Sequence, residues 1–267
     1  MTHADFVPKH LKGLGVEIGA YESPVPGIDP IYVDKFAEFA GKPCRADYFG
    51  EAIDLPFLDD SLDYLVASHV LEHSANPVGV LAEWYRVLKP SGIAYIIVPD
   101  KRQTWDRGRP DTTLEHMVDD YLKNTTDCDP THIDDFVFGI DWKDFAETTD
   151  EAELEALKQS HAASYREQIE RGDEINIHFH VFTPGNFRSL ISDAPQKGDI
   201  PYDWDIVAFE ERFPDECQNG ILAILRKRSK TKWRRPLPAA IRRLANPSFP
   251  MTRNAKRFAP AASASES

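Results

Sequence analysis

The chain has 267 residues, 42% of them hydrophobic and 28% charged, and a formal net charge of −13. No apolar run approaches the roughly 20 residues of a membrane-spanning helix, residues 1–13 hold no apolar signal core, and the acidic balance argues against bare nucleic acid as a partner. The cysteines Cys44, Cys128 and Cys217 form no C-x-x-C pair. We therefore expect a cytoplasmic protein with free thiols.

Strand and helix patterns alternate through the first hundred residues. Apolar segments predict strands at 15–19, 30–34 and 61–68, and a further buried strand at 93–100. Between the last two strands, residues 76–92 carry apolar side chains at helical spacing, which predicts a helix. Pro90 and Gly92 terminate it. This alternation predicts an α/β fold with a doubly wound, mostly parallel sheet.

Residues 101–180 interrupt the alternation. They are rich in Asp, Glu, Thr and His and contain a long polar helix at 151–172, so we interpret them as a helical insertion or lid over the mouth of the sheet. An extended segment at 175–183 and a short helix at 184–194 follow. Strands at 204–213 and 219–227, five residues apart, then predict an antiparallel C-terminal hairpin.

The charge is unevenly distributed. From Arg226 onward basic residues dominate, and Glu266 is the only acid. We therefore divide the chain into a domain at 1–228 and a basic, partly disordered tail at 229–267. Residues 232–246 mix cations with apolar side chains, which predicts weak peripheral contact with an anionic inner membrane face. A solubilising or inter-subunit tail is the alternative.

The loop after the first strand predicts a nucleoside cofactor without a diphosphate. Ligands of such sheets bind beyond the carboxyl ends of the strands, and Gly19 allows close approach of the backbone. No glycine-rich turn leads into a helix here, so a pyrophosphate would be poorly held. Asp34 can accept hydrogen bonds from both ribose hydroxyls, and Glu51 and Ala52 lie where an adenine edge is expected.

Residues 15–100 resemble a known family. The motifs "VEIGA", "YVDKF", "LPFLDDSLD", "SHVLEH" and "EWYRVLKPSG" occur in the order found in class I S-adenosylmethionine-dependent methyltransferases of the small-molecule type. The departure is "GAYESP" in place of the usual G-x-G-x-G. The segments "VPDKR", "LEH" and "HFHVFTP" are similar to a bacterial subfamily associated with polysaccharide biosynthesis.

The resemblance implies a seven-stranded Rossmann-like fold and S-adenosylmethionine as cofactor. It also implies roles for single residues, with Ser68 and His69 closing the family's fourth strand near the sulfonium. The residues expected to bind the cofactor are Glu17, Gly19 and Ala20 at the methionine end, Asp34 at the ribose, Glu51 and Ala52 at the adenine, and Ser68 and His69. Gly19 as a simple turn and Asp34 as a helix cap are the structural alternatives, and His73 is expected to be structural.

Methyl transfer to a hydroxyl needs a base, and histidine is the simplest one near neutral pH. His116 shares one face of a predicted helix with Asp119 and Asp120, and His178 and His180 share one face of an extended segment. We therefore predict His178, His180 and His116 as catalytic and assign no metal. A divalent ion held by these groups is the alternative, as is a purely structural role.

The strand predicted at 93–100 corresponds to the family's fifth strand. Three residues that follow it are predicted to bind the acceptor: Arg102, Trp105 and Arg107. The hypothesis is an O-methyltransferase acting on a sugar of a surface polysaccharide or a glycolipid precursor. The partner is then a small-molecule or glycan acceptor. Two alternatives are a methyltransferase of another small metabolite and a degenerate fold used as a binding or scaffold subunit.

Overall fold

The computed structural model describes residues 1–39, 41–146 and 148–228, so the basic tail lies outside the described residues. Nine strands occur in this part of the chain. They are β1 (Gly15–Ile18), β2 (Ile31–Asp34), β3 (Glu38–Phe39), β4 (Lys42–Pro43), β5 (Tyr48–Phe49), β6 (Leu62–Ser68), β7 (Leu88–Pro99), β8 (Trp204–Phe213) and β9 (Gly220–Lys227).

Seven of these strands form one sheet in the order β5-β2-β1-β6-β7-β9-β8, while β3 and β4 form a separate antiparallel pair. The pairs from β5 to β7 are parallel. β9 is antiparallel to both β7 and β8. The predicted fold class is therefore confirmed, including the terminal hairpin. Pattern analysis missed β5, because a strand of two residues has no measurable period.

Six α-helices occur among the described residues. They are α1 (His3–His10), α2 (Pro77–Val87), α3 (Leu114–Lys123), α4 (Ile133–Gly139), α5 (Glu151–Glu170) and α6 (Pro184–Ser192). Leu81 of α2, Met117 of α3 and Leu190 of α6 pack into one core on one face of the sheet. Phe6 and Val7 of α1 pack on the other face, against Tyr95 and Phe213. Apolar burial on both faces explains the nearly continuous apolar sequence of β6 and β7.

The segment between β7 and α6 forms an insertion with a core of its own. Ile133 and Val137 of α4 pack there with Trp142, Ala162 of α5 and Phe179. Arg109 is fully buried beside this core and pairs with Asp106 and Asp135. Within the described residues, no helix combines the length and apolarity needed to cross a membrane.

Candidate active site

A cavity of about 420 Å³ opens at the carboxyl ends of β1, β2, β5 and β6. Parallel strands bring the loops that follow them to one edge of the sheet, which is where a ligand is expected. Seven of the eight residues predicted for the cofactor line this cavity: Gly19, Ala20, Asp34, Glu51, Ala52, Ser68 and His69.

The loop after β1 is shaped by Gly19 and Glu17. Gly19 has φ +65°, and a Cβ there would lie 2.8 Å from Val70 Cγ2, so glycine suits both the conformation and the space. Glu17, the eighth predicted residue, stands outside the described cavity lining. Its Oε1 accepts a hydrogen bond from the Val25 N–H at 2.8 Å. Glu17 therefore holds the loop that forms the cavity wall, and burial raises its pKa to about 7.

Asp34 ends β2 at the cavity. Its Oδ1 accepts a hydrogen bond from the Phe36 N–H at 2.9 Å. Burial raises the pKa of Asp34, and bonds from backbone N–H groups offset part of that effect. Phe36 and Phe39 stack beside it with ring centroids 6.2 Å apart, and both line the cavity. The site thus combines a carboxylate with apolar ring surface, which suits a nucleoside.

The insertion supplies part of the cavity wall through Asp127, Ile175 and Asn176. Lys35, which follows β2, donates a hydrogen bond to Asp127 Oδ2 at 2.9 Å and pairs with Glu174. The other oxygen of Asp127 accepts from the Ala75 N–H at 3.0 Å. These polar contacts join the insertion to the sheet at the cavity.

Two histidines of the "SHVLEH" motif, His69 and His73, line the cavity and flank a buried acid, Glu72. Glu72 Oε1 lies 3.5 Å from His69 Nδ1 and 3.9 Å from His73 Nε2. Burial alone would raise the pKa of Glu72, but the adjacent histidines outweigh it and hold that pKa below its usual value. His69 also has φ +56°, uncommon for a residue with a side chain and concentrated at functional sites.

The pKa values of His69 and His73 shift in opposite directions. Burial acts to lower the pKa of His69, but the contact with Glu72 raises it on balance. Burial dominates at His73 and lowers its pKa, so that ring stays neutral near pH 7. One cavity histidine is therefore poised to take up a proton.

The three histidines predicted as catalytic are absent from the cavity lining formed by the described residues. His178 stands behind His73, with ring centroids 4.8 Å apart, and its Nδ1 lies 2.6 Å from Asp106 Oδ2. His116 and His180 belong to a different cluster with His132 and Asp120. Although they are two residues apart in sequence, His178 and His180 thus have different neighbours. Asp119 pairs with Lys123, at 2.5 Å, rather than with a histidine.

The predicted acceptor-binding residues also lie away from the described part of the cavity wall. Arg102 pairs with the neighbouring Asp100 at 2.6 Å, and Arg107 pairs with Asp141 at 2.9 Å. Trp105 stacks on His178, with ring centroids 5.2 Å apart. Local carboxylates hold both arginines, so position after β7 alone did not predict where their side chains lie.

Sequence reasoning missed Glu72, Asp106, Arg109 and Asp127. Glu72 could have been found from the sequence, because it follows an apolar strand closely and has a histidine on either side in the motif "SHVLEH". Asp106 and Asp127 meet their partners His178 and Lys35 only through long-range contacts, and Arg109 joins Asp106 to the backbone carbonyls of His178 and Phe179. No local pattern marks such contacts.

Comparison with known proteins agrees with this geometry. Residues 29–96, about a quarter of the chain, match the family model described as a methyltransferase domain. The matched region contains Asp34, Glu51, Ser68 and His69. A search of curated proteins finds no match.

Several solved structures are similar at low identity. One is an S-adenosylmethionine-dependent methyltransferase from Methanosarcina mazei, with 18% identity, 84% of this chain and 97% of that chain covered, and a TM-score of 0.45. Another is a complex of the Haloferax volcanii Trm112 methyltransferase activator and a putative methyltransferase. The identity is 12%, the match covers 87% of this chain and 90% of that chain, and the TM-score is 0.43. A third is a protein from Thermotoga maritima described as a possible histamine N-methyltransferase. The identity is 16%, the match covers 85% of this chain and 88% of that chain, and the TM-score is 0.42.

Because these likenesses are distant, the assignment depends on the family match and on the sheet. The cavity lies at the carboxyl ends of β1, β2, β5 and β6, and the matched region supplies all of these strands except β1. Residues 29–96 therefore match a methyltransferase domain, and the seven-stranded sheet has the Rossmann-like methyltransferase fold.

Proposed function

We propose that this protein transfers a methyl group from S-adenosylmethionine to a hydroxyl of a small polar acceptor, a sugar of a surface polysaccharide or of a glycolipid precursor. The observation that carries the proposal is the cavity itself. It gathers Asp34, Glu51 and the adjacent pair Ser68 and His69 from the ends of three strands at one edge of the sheet. Residues so far apart in sequence, each predicted for the same cofactor, support a common ligand.

The cavity residues fit the cofactor. Asp34 would accept hydrogen bonds from the ribose hydroxyls, Glu51 and Ala52 would contact the adenine, and Gly19 and Ala20 would border the methionine end. The aromatic pair Phe36 and Phe39 adds apolar surface for the base. When bound, S-adenosylmethionine supplies a methyl group already activated by the sulfonium. The chain therefore has to align the acceptor and remove its proton.

His69 is the base in this proposal. It follows β6 directly, lines the cavity and has a side chain that is 41% exposed, so an acceptor hydroxyl can reach it. The buried carboxylate of Glu72 lies below it and stabilises the imidazolium that forms when the proton arrives. His178, with Asp106 on its Nδ1, positions His73 on the neighbouring wall. A histidine base, with a carboxylate that stabilises its protonated form, is what a hydroxyl acceptor requires.

The sugar acceptor is supported by the sequence resemblance of "VPDKR" and "HFHVFTP" to methyltransferases associated with polysaccharide biosynthesis. A hydroxyl, unlike an amine, has to lose its proton to become an effective nucleophile, and the His69–Glu72 pair provides for that step.

A methyl-transfer assay tests the proposal. Labelled S-adenosylmethionine is incubated with the protein and a panel of nucleotide sugars, oligosaccharides and glycolipids, with amines and carboxylic acids as the comparison set. We expect label in a sugar hydroxyl and loss of that transfer in His69→Gln. Transfer only to amines or acids would overturn the acceptor class. Binding of the cofactor without transfer to any acceptor would favour the scaffold alternative.

A further inference from the structure

A second cluster of histidines lies in the insertion, away from the cavity residues. It consists of His116, Asp120, His132 and His180, and one donor atom from each lies within 4.8 Å of the others. Three of the four residues are buried, and His116 is exposed. Neither the methyl-transfer site nor the insertion core uses these side chains.

The cluster brings together three segments of the insertion. His116 and Asp120 are one helical turn apart on α3, so both project from one face. His132 ends the 3-10 turn Pro130–His132 that precedes α4, and His180 lies in the extended segment that returns to the sheet. Such convergence on one point is typical of a structural metal site.

Four of the six donor-to-donor distances match those around a tetrahedral ion. Asp120 Oδ2 lies 3.4 Å from His116 Nε2, 3.4 Å from His132 Nε2 and 3.6 Å from His180 Nε2. The two nitrogens of His116 and His132 are 3.1 Å apart. Zinc bonds of about 2.0–2.1 Å to nitrogen and oxygen imply donor-to-donor edges of roughly 3.3 Å in a tetrahedron.

The hydrogen bonding leaves Asp120 Oδ2 and His132 Nε2 available as ligands. Asp120 Oδ2 is buried and has no hydrogen-bond partner among the described residues, which is costly for a carboxylate oxygen. His132 Nδ1 lies 3.1 Å from the Thr131 hydroxyl, and donation to that oxygen leaves the Nε2 lone pair free for a ligand bond. The carbonyl oxygen of Ala75, 3.2 Å from His180 Nε2, is the competing partner for that nitrogen.

We propose that His116, Asp120, His132 and His180 bind one Zn²⁺ ion in a closed, four-ligand structural site. Three neutral imidazoles and one carboxylate are a donor set that suits zinc, and no open coordination position is left for a substrate. The ion joins α3, the 3-10 turn and the return segment into one body. The Ala75 carbonyl oxygen lies 3.2 Å from His180 Nε2, and the Ala75 N–H is held by Asp127 of the cavity wall, so the cluster lies close to the cavity.

Metal content and metal-dependent stability test this assignment. The protein is purified without a histidine tag, since such a tag binds zinc itself. The wild type is compared with His116→Ala, which alters the exposed ligand and leaves the buried ones in place. His161→Ala is the matched control, because this histidine belongs to the same insertion but packs beside Trp142, with ring centroids 5.0 Å apart.

We expect about one zinc per chain in the wild type and in His161→Ala, measured by elemental mass spectrometry. His116→Ala should bind zinc at least tenfold more weakly, since even residues behind the ligands cost about that much. A chelator should lower the thermal midpoint of the wild type, and added zinc should restore it, with no such response in His116→Ala. Circular dichroism verifies that the variant is folded.

Replacement by cobalt reads out the geometry independently of methyl transfer. A tetrahedral site gives the cobalt protein intense visible absorption, whereas an octahedral one gives weak absorption. Zinc-free wild type whose thermal midpoint does not respond to added zinc would overturn the proposal and leave a metal-free hydrogen-bonded cluster. Equal zinc affinity of wild type and His116→Ala, or weak cobalt absorption, would overturn the four-ligand assignment.

Discussion

Single buried carboxylates determine much of the chemistry at this cavity. Glu17 anchors the loop after β1, Asp34 ends β2, and Glu72 lies below His69. Each is nearly or completely removed from water, at 1%, 6% and 0% exposure. Burying an acid is expensive unless hydrogen bonds or charges compensate it. Buried carboxylates with shifted pKa values concentrate at functional sites, which is one reason why we propose a ligand site at this cavity.

Glu17 makes stability depend on pH. Its pKa rises from 4.5 in the unfolded chain to about 7 in the fold, because burial penalises the charged form. Between these values the folded chain keeps a proton that the unfolded chain has lost, so the free energy of unfolding falls as pH rises and levels off above pH 7. Glu17→Gln should remove this pH dependence, which changes the free energy of unfolding by up to about 3 kcal/mol.

Urea unfolding of the cofactor-free protein at several pH values between 4.5 and 8 measures this effect. Glu22→Gln is the control, because Glu22 is in the same loop but is exposed and pairs with Lys42. The Glu17 account is wrong if wild type and Glu17→Gln keep a constant difference across that range.

His69 and Glu72 should be visible in the pH dependence of turnover. If His69 is the general base that we propose, His69→Gln should lower turnover by about 10²–10⁴-fold. Glu72 raises the pKa of His69, so Glu72→Gln should move the acidic limb of the kcat/KM profile to lower pH. A profile that stays unchanged in Glu72→Gln would show that His69 is not the titrating base.

At the scale of elements, the insertion is held by a buried arginine. Arg109 donates to Asp106 at 2.8 Å, to Asp135 at 2.6 Å and to the His178 carbonyl oxygen at 2.8 Å. Breaking a buried ion pair by removing one partner costs about 3–5 kcal/mol. Arg109→Met should therefore loosen the segment that carries His178 and His180.

Hydrogen exchange followed by mass spectrometry measures this loosening. We expect faster exchange in peptides covering residues 175–183, while peptides of β6 and β7 stay protected. Arg107→Ala is the control, since Arg107 is on the same turn but has a side chain that is 46% exposed. Equal exchange in both variants would contradict the role given to Arg109.

The sequence predicted the sheet, and seven of the eight residues expected to bind the cofactor line one cavity, because both depend on local signals. Apolar runs mark β6 and β7, and the ends of β1 and β2 mark Gly19 and Asp34. The side-chain clusters could not be predicted in the same way. His116, His132 and His180 meet only after α3 and the return segment have packed together, and the Asp106–His178 pair spans most of the insertion. Long-range packing leaves no periodic trace in sequence.

For the whole molecule, charge separates an acidic domain from a basic tail. The amphipathic pattern predicted at 232–246 lies outside the described residues, so it stays a prediction. Full-length protein should float with anionic vesicles at low salt and less at high salt, because salt screens exposed charges. A chain ending at Arg228 should remain unbound, and neutral vesicles are the control. Equal flotation of both chains would remove the tail from membrane contact.

The central claim is that the cavity binds S-adenosylmethionine through Asp34, and isothermal titration calorimetry tests it most directly. Wild-type protein should bind both S-adenosylmethionine and S-adenosylhomocysteine at one site per chain. Asp34→Ala should lose about tenfold or more in affinity, because hydrogen bonds to a charged group are worth about 1.5–3 kcal/mol. Asp47→Ala, an acid that binds the Tyr32 N–H outside the described cavity lining, should bind like wild type. Absence of binding heat with both ligands on folded wild type, or an unchanged dissociation constant in Asp34→Ala, would contradict the claim.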